Sequence, residues 1–303
     1  MPRSFVGALG AVLLLPSLLL AQEKTVTGRV WIQEGTQSVH LTVNRSETYQ
    51  LVFPVGNPWE RLMRVSADQV VEAKLRVVSP GMFGGSAMVT GLAKDVKGRV
   101  IAAMDGGPVN ISVSKSEGYQ IEGAFRGYLL RHADQEVEAR VRITQPGMFG
   151  AKATLDCVYL NAQGHVFAAM DGGPVHISVN KSNVFQVVNE PFTGLVLANE
   201  GQRVSARLRL IEPGMFGGKA EVIHLDGRTT RNRLLRVQRG GRLFSAGFVP
   251  AGTHLEVTGV SQRYPRYLEV RLADGRSGLI ARGSLTMAQP VPLHGIAAVV
   301  ETE

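Results

Sequence analysis

Arginine is the residue type with the clearest chemistry in this sequence. Six arginines lie within positions 228–242, and eleven lie between Gly227 and Arg282 against three acidic residues, so this segment alone accounts for the formal charge of +8. The planar guanidinium group binds carboxylates and phosphates through paired hydrogen bonds, which predicts an anionic partner. The candidate binding residues, two tyrosines included, are Arg228, Arg231, Arg233, Arg236, Arg239, Arg242, Arg263, Arg266, Tyr264 and Tyr267. The alternative interpretation is a solvated face without a specific partner.

Catalytic chemistry has no comparable signal. The seven histidines are scattered, and the sequence contains no HxH, HExxH or GxSxG motif. Cys157 occupies the repeat position of Gly91 and His224, which favours a packing role over a shared reaction. Asp105 and Asp171 stand in Asp-Gly-Gly turns without the further acidic ligands of a calcium loop. We therefore predict a protein that is not an enzyme and has no cofactor or metal.

Three internal repeats organise most of the chain. The frame that begins Gly28-Arg29-Val30 recurs at Gly98 and Gly164, and no gap is needed up to the glutamine 22 residues later. Each copy continues into a strictly alternating segment, at 71–77, 137–143 and 204–210, which is typical of a half-buried antiparallel strand. We expect repeats at 28–97, 98–163 and 164–226, each with about five short strands, and we expect the three repeats to pack on one another in a row.

Every repeat also carries the motif Pro-Gly-Met-Phe-Gly after its alternating strand. Proline followed by glycine is typical of a type II turn, so we expect Pro-Gly to reverse the chain. The Met-Phe pair could be an exposed anchor for a repetitive partner, but the packing interpretation is favoured, with the pair at the joint between repeats. The predicted interface residues are Met82, Phe83, Met148, Phe149, Met215 and Phe216.

The N-terminal segment predicts export. Arg3 precedes an apolar run from Phe5 to Leu20, and the sequence turns polar after Ala21. This pattern is typical of a secretory signal peptide at 1–21 cleaved after Ala21, and the absence of a following cysteine argues against a lipoprotein. The expected location is the periplasm or the cell exterior. Nucleic acid is not an expected partner there, since the chain is exported and the basic segment lacks an aromatic stacking platform beyond Tyr264 and Tyr267.

The repeats resemble the small periplasmic N-terminal domain of pilus and secretion secretins. The resemblance rests on the string Val-x-Leu/Ile-x-Val-x-Arg/Lys-Ser-x-x-Tyr/Phe-Gln, the Ala-Asp-Gln segments at 67–69 and 133–135, and the alternating strand that follows. The sequence has glutamine where that family has proline, and no secretin pore region follows. The resemblance implies docking to a pilus or secretion assembly.

The basic segment, 227–285, resembles a bacterial SH3 domain. A Gly-Thr turn at 252–253 opens one strand, and Asp274-Gly275-Arg276-Ser277-Gly278 forms a hairpin before another, where Leu279 replaces the usual tryptophan. Such domains bind cell-wall peptides, so the resemblance implies a place beside peptidoglycan. Residues 286–303 are expected to form a C-terminal tail.

The sequence therefore predicts an all-β fold of three tandem small β-sandwich or barrel-like repeats followed by an SH3-like β-barrel. We expect an exported, non-catalytic envelope protein in which the SH3-like module binds peptidoglycan or another polyanion and the repeats act as spacer or docking surface. The alternatives are a surface adhesin or matrix protein that self-associates through its Met-Phe turns and, third, a wall hydrolase with no visible site.

Overall fold

Strands dominate the structure, a computed structural model that describes residues 23–103, 107–147, 150–169 and 172–288. The three α-helices within these ranges have five to eight residues, and the prediction of an all-β fold is confirmed. None of these helices is long and apolar enough to cross a membrane. The chain divides into two compact units, Met1–Leu92 and Ala93–Glu303. The predicted signal peptide, Asp105, Asp171 and residues 289–303 lie outside the described residues.

The first unit forms a closed ring of five strands. Its elements are β1 (Glu23–Ile32), β2 (Val39–Asn44), β3 (Glu47–Leu51), helix α1 (Pro58–Val65), β4 (Val70–Gly81) and the first part of β5 (Gly84–Ala102). Strand β1 pairs antiparallel with β2 and with β4, and β2 pairs with β3. Strand β3 pairs in parallel with β5. A tight hairpin joins β4 to β5, and these two strands also lie side by side, so the order of strands around the ring is 1-2-3-5-4.

Local hydrogen bonds fix the start of helix α1 and the turn that follows its end. The Asn57 side chain accepts a hydrogen bond from the Trp59 amide at 2.9 Å, and Pro58 occupies the first turn, where it is tolerated. After the helix Asp68 adopts a left-handed φ of 63°, and its amide donates to the Val30 carbonyl at 2.8 Å. The Ala-Asp-Gln segment is thus a turn that ties the helix to the buried Val30 near the end of β1.

The second unit repeats the same element order twice. Its elements after β5 are β6 (Val109–Ser114), β7 (Glu117–Glu122), α2 (Arg126–Leu130), β8 (Glu136–Pro146), β9 (Ala151–Ala168), β10 (Val175–Asn180), β11 (Asn183–Val187), α3 (Phe192–Leu197), β12 (Arg203–Gly214) and β13 (Gly217–Thr229). The ring of β9, β10, β11, β13 and β12 closes through five pairings, of which β11–β13 is parallel. The ring of β5, β6, β7, β9 and β8 has the same order.

Strand order and helix position identify the barrel type. A five-stranded Greek-key barrel with this order and a helix between the third and fourth strands is an OB-fold. Strand β9 serves two barrels, because its first half pairs with β8 and its second half pairs with β10 and β12. The predicted repeat boundaries after 163 and 226 therefore fall inside strands β9 and β13 and not in linkers.

The hairpin between the fourth and fifth strands differs from the expected turn. Strand β12 ends at Gly214 and β13 begins at Gly217, so Met215 and Phe216 are the two turn residues; the prediction that Pro-Gly reverses the chain is wrong. Gly217 has a φ of 117°, and a Cβ atom there would lie 2.0 Å from the Val184 carbonyl oxygen. The parallel strand approaches so closely that this position requires glycine.

The C-terminal segment continues the sheet from the end of β13. It comprises β14 (Arg233–Arg239), β15 (Arg242–Val249), β16 (His254–Val260), β17 (Tyr267–Leu272), β18 (Ser277–Ala281), a 3-10 turn (Arg282–Ser284) and β19 (Leu285–Thr286). Strands β16, β17 and β18 form a meander, and β14 joins β15 and β18. Strand β13 pairs with β16 and β19. The alternating pattern buries Val257, Val270 and Ile280.

Candidate binding surfaces

The β14–β15 hairpin displays apolar and cationic side chains together. Leu234 and Phe248 are cross-strand partners on its outer face and both are exposed, whereas Leu235 on the opposite face is fully buried. A groove of about 240 Å³ lies beside them. This hairpin groove is lined by Asn232, Arg233, Leu234, Arg236, Phe248, Tyr267 and Ala281. Three of the ten predicted binding residues, Arg233, Arg236 and Tyr267, therefore meet at one place.

The arginines of the segment differ in their electrostatic surroundings. Arg271 pairs with Glu256, and Arg276 pairs with Asp274 at 2.7 Å, where the hydrogen bond from the guanidinium lowers the pKa of the Asp274 carboxyl group. In contrast, the hairpin arginines form no ion pair within the described ranges, and no acidic residue occurs between Gly227 and Leu255. The arginines on and just before the hairpin that form no ion pair within the described ranges are Arg228, Arg231, Arg233, Arg236, Arg239 and Arg242. The hairpin therefore carries uncompensated positive charge.

Two predicted binding arginines have structural partners. The Arg233 Nε atom donates to the hydroxyl of the buried Ser284 at 2.6 Å, which anchors the hairpin base to the 3-10 turn. The Arg228 guanidinium lies against the His254 imidazole. Arg231, Arg239 and Arg242 are exposed and Arg236 is half-buried, which leaves these four as the better candidates for ligand contacts.

The aromatic candidates hold the hairpin in place. The Tyr264 hydroxyl donates to the Gly241 carbonyl at 2.7 Å, so the hairpin tip is fixed to the loop between β16 and β17. The Arg263 guanidinium lies over the Tyr264 ring at 6.0 Å from its centroid, and Tyr267 meets Tyr264 edge-to-face at 6.3 Å. Arg266 is exposed in the same loop. These contacts preorganise one wall of the hairpin groove.

The Met-Phe turns are exposed, which corrects the prediction that they fill a joint. Met82 and Phe83 are 91% and 65% exposed in the first unit, and Met215 and Phe216 are 77% and 60% exposed in the second. Met148 and Phe149 lie outside the described residues. The backbone of the third turn is nevertheless held firmly, because Val184 donates to the Phe216 carbonyl at 2.8 Å and Arg131 of the preceding barrel donates to the Gly214 carbonyl at 3.0 Å.

A buried charge cluster was not predicted from the sequence. Lys94 and Glu117 form an ion pair in the second barrel, and the Tyr119 hydroxyl donates to the same carboxylate. The signal that could have revealed it is the recurrence of lysine, glutamate and tyrosine at 24, 47 and 49 in the first barrel. Cys157 is buried as expected, and burial raises the pKa of its thiol.

Comparison with known proteins does not identify a ligand for this chain. No protein-family model and no curated protein matches the chain. Within the described ranges no group of three or more histidine, cysteine, aspartate or glutamate side chains could hold a metal ion. The surfaces themselves are therefore the basis for a functional proposal.

Proposed function

We propose that this chain is an exported, non-catalytic envelope protein that binds an anionic cell-wall polymer through its C-terminal module. The tandem barrels act as a spacer that carries this module, or as a docking surface for a pilus or secretion assembly. The proposal rests on one observation: the hairpin groove combines apolar and aromatic walls with arginines that form no ion pair with any acidic side chain in the described part of the chain.

The contacts of the groove fit a polymer with anionic and apolar groups, such as the peptide stems of a cell wall. Arg236 supplies a fork for a carboxylate, while Phe248 and Tyr267 supply apolar contact area beside it. The hairpin, the three-stranded meander and the 3-10 turn before β19 support the SH3-like interpretation of this module. Function nevertheless follows from the groove and not from the fold.

Co-sedimentation of the full chain with purified sacculi tests the proposal. The variant R236Q/R239Q removes two unpaired charges and should weaken binding several-fold and flatten its dependence on salt, because screened charge attraction is lost. The control R271Q/R276Q removes the same net charge from arginines that are paired with Glu256 and Asp274, and should bind nearly as the wild type does. Equal losses in both variants would show that only net charge matters, and the assigned groove would be wrong.

Self-association is the second candidate function, and the exposed Met-Phe turns favour it. A methionine and a phenylalanine at the tip of a firmly held hairpin form a rigid apolar anchor that water contacts in the isolated chain. Sedimentation velocity should then show a concentration-dependent dimer or larger species. The quadruple variant M82S/F83S/M215S/F216S should sediment as a monomer at all concentrations; a wild type that is already monomeric throughout would exclude this candidate.

A further inference from the structure

Stacked rings lie on the outer face of the first barrel. The Trp31 indole and the His40 imidazole stack with centroids 4.3 Å apart and planes 14° apart, and Trp31 Nε1 donates to the Thr42 hydroxyl at 2.9 Å. Gln50 is the cross-strand partner of His40. These side chains point away from the barrel core, since the alternating residues Val30 and Leu41 are fully buried.

The third barrel carries the same arrangement at the equivalent positions. The Phe167 and His176 rings stack with centroids 4.9 Å apart and planes 10° apart, and Phe167 is 40% exposed. Gln186 is the cross-strand partner of His176, as Gln50 is of His40. The barrel core requires neither a phenylalanine at position 167 nor a glutamine at position 186. Because the first and third barrels nevertheless both place an aromatic ring near a glutamine, the arrangement points to a ligand.

The second barrel has a cavity on this face. Ile101, Asn110 and Gln120 occupy the positions of the tryptophan, histidine and glutamine of the first barrel, and Asn110 pairs across the strands with Gln120. These residues line a cavity of about 560 Å³ that extends over Ser112 and Gly118 to the β8–β9 turn. Glycine at 118 leaves the floor of this cavity open. Its lining combines amides and hydroxyls of β6 and β7 with two charged strand residues, Glu117 and Lys152, which form ion pairs with Lys94 and Glu122.

The ring, amide and hydroxyl groups named above carry no charge. Two arginines stand beside them on the same face: Arg29 is the cross-strand partner of Thr42, and Arg99, which pairs with Asp134, is that of Ser112. Burial lowers the pKa of His40, so its imidazole is neutral at pH 7. The cation shared by all three copies, Arg45, Lys115 or Lys181, lies at the tip of the hairpin and not along the paired strands. Binding of a single-stranded nucleic acid requires cationic side chains placed along its phosphates. Binding of a neutral sugar requires instead an aromatic ring that packs against its C–H groups and amide groups that hydrogen-bond to its hydroxyls.

We propose that this outer face of the first three strands, here named the ring face, binds the sugar residues of a neutral glycan in each barrel. The ring face consists of Trp31, His40, Thr42 and Gln50 in the first barrel, of Ile101, Asn110, Ser112 and Gln120 in the second, and of Phe167, His176, Ser178 and Gln186 in the third. The inference deepens the proposed function, because it makes the barrels a second contact with the same wall material and not only a spacer.

The test uses the full chain and a hexamer of N-acetylglucosamine. Trp31 and Trp59 are the two tryptophans of the chain, so W59F leaves Trp31 as the sole emitter. Addition of the hexamer should change Trp31 emission saturably. In calorimetric titrations F167A should weaken binding by about twofold to tenfold, the range expected for one lost aromatic contact, and Q186A should weaken it also.

Controls separate the ring face from other surfaces and from other ligands. F216A removes a phenylalanine that is exposed in the same unit but lies on the Met-Phe turn, and hexamer affinity should stay unchanged. The proposal is overturned if the hexamer does not bind, if F216A and F167A cause equal losses, or if a twelve-residue oligothymidylate binds in its place. R236Q/R239Q should leave hexamer binding intact while sacculus binding falls. The proposal for the hairpin groove and the proposal for the ring face can therefore be refuted independently of each other.

Discussion

Lys94 and Glu117 form an ion pair with a nitrogen–oxygen distance of 2.7 Å although their side chains are only 1% and 7% exposed. The Tyr119 hydroxyl donates to the same carboxylate at 2.6 Å. Burial lowers the pKa of Lys94 and raises that of Tyr119. The third barrel has leucine, asparagine and phenylalanine at the equivalent positions 160, 183 and 185, so the barrel does not need the cluster in order to close.

Removal of one member of this cluster should cost more stability than replacement of all three. E117A leaves the Lys94 ammonium buried without its carboxylate, and we expect a loss of about 3–5 kcal/mol in the free energy of unfolding. The triple variant K94L/E117N/Y119F, which copies the third barrel, should be close to the wild type or more stable, because no charge remains to be desolvated. Urea unfolding followed by circular dichroism measures both; a triple variant as unstable as E117A would refute the argument.

The hydrophobic pattern of the sequence was sufficient to predict the strands, but it was not sufficient to predict how the strands pair into closed barrels. Alternation predicted the strands at 71–77 and 137–143, which lie within β4 and β8. It could not predict that Val184 pairs in parallel with Gly217, because residues 33 positions apart leave no periodic signal. Lys94 shows the same limit: its charge predicts solvent exposure, and only the tertiary contacts of its strand bury it.

The candidate surfaces were predicted in part. The net charge of the basic segment indicated an anionic partner, but it could not separate Arg236 from Arg276, since pairing with Asp274 depends on the geometry of the β17–β18 turn. The ring face was missed because its members come from three strands. Trp31, His40 and Gln50 lie nine and ten residues apart in sequence, and they meet only through the pairing of β1, β2 and β3.

Asp134 should tolerate glycine better than alanine. Its φ of 65° is left-handed, a conformation that aspartate and glycine adopt more readily than alanine, and the third barrel has Gly201 at the equivalent position with a φ of 75°. D134A should lose about 1 kcal/mol in the free energy of unfolding, and D134G should lose less. The exposed ion pair with Arg99 disappears in both variants, so it cancels in the comparison. Equal urea midpoints would contradict the backbone argument.

Gly217 should be far less replaceable than Gly194 of the same barrel. A Cβ atom at Gly217 would lie 2.0 Å from the Val184 carbonyl oxygen, so G217A must displace the parallel pairing of β11 with β13 and should cost about 2–4 kcal/mol. A Cβ atom at Gly194, inside helix α3, meets nothing within 4 Å, and G194A should stabilise the helix by up to about 1 kcal/mol. Thermal unfolding of both variants measures the contrast, which a similar shift in the two midpoints would refute.

His40 should make the stability of the first unit depend on pH. Burial holds its pKa below the ordinary value of 6.5, so the unfolded chain binds protons more readily than the folded unit as pH falls through 6.5. The contribution of His40 to stability is therefore fully present above pH 6.5 and decreases below it. We expect the urea midpoint, followed by Trp31 fluorescence in a W59F background, to fall between pH 7.5 and pH 5 more steeply in the wild type than in H40N.

Asparagine is the matched replacement because it occupies this position in the second barrel, as Asn110, and does not titrate. The same acidification should also loosen the stacked ring pair, since a protonated imidazole is poorly accommodated at a half-buried site that burial keeps neutral. Trp31 emission of the folded protein should therefore shift at low pH in the wild type alone. Parallel pH profiles for the wild type and H40N would show that other groups, and not His40, control the acid response.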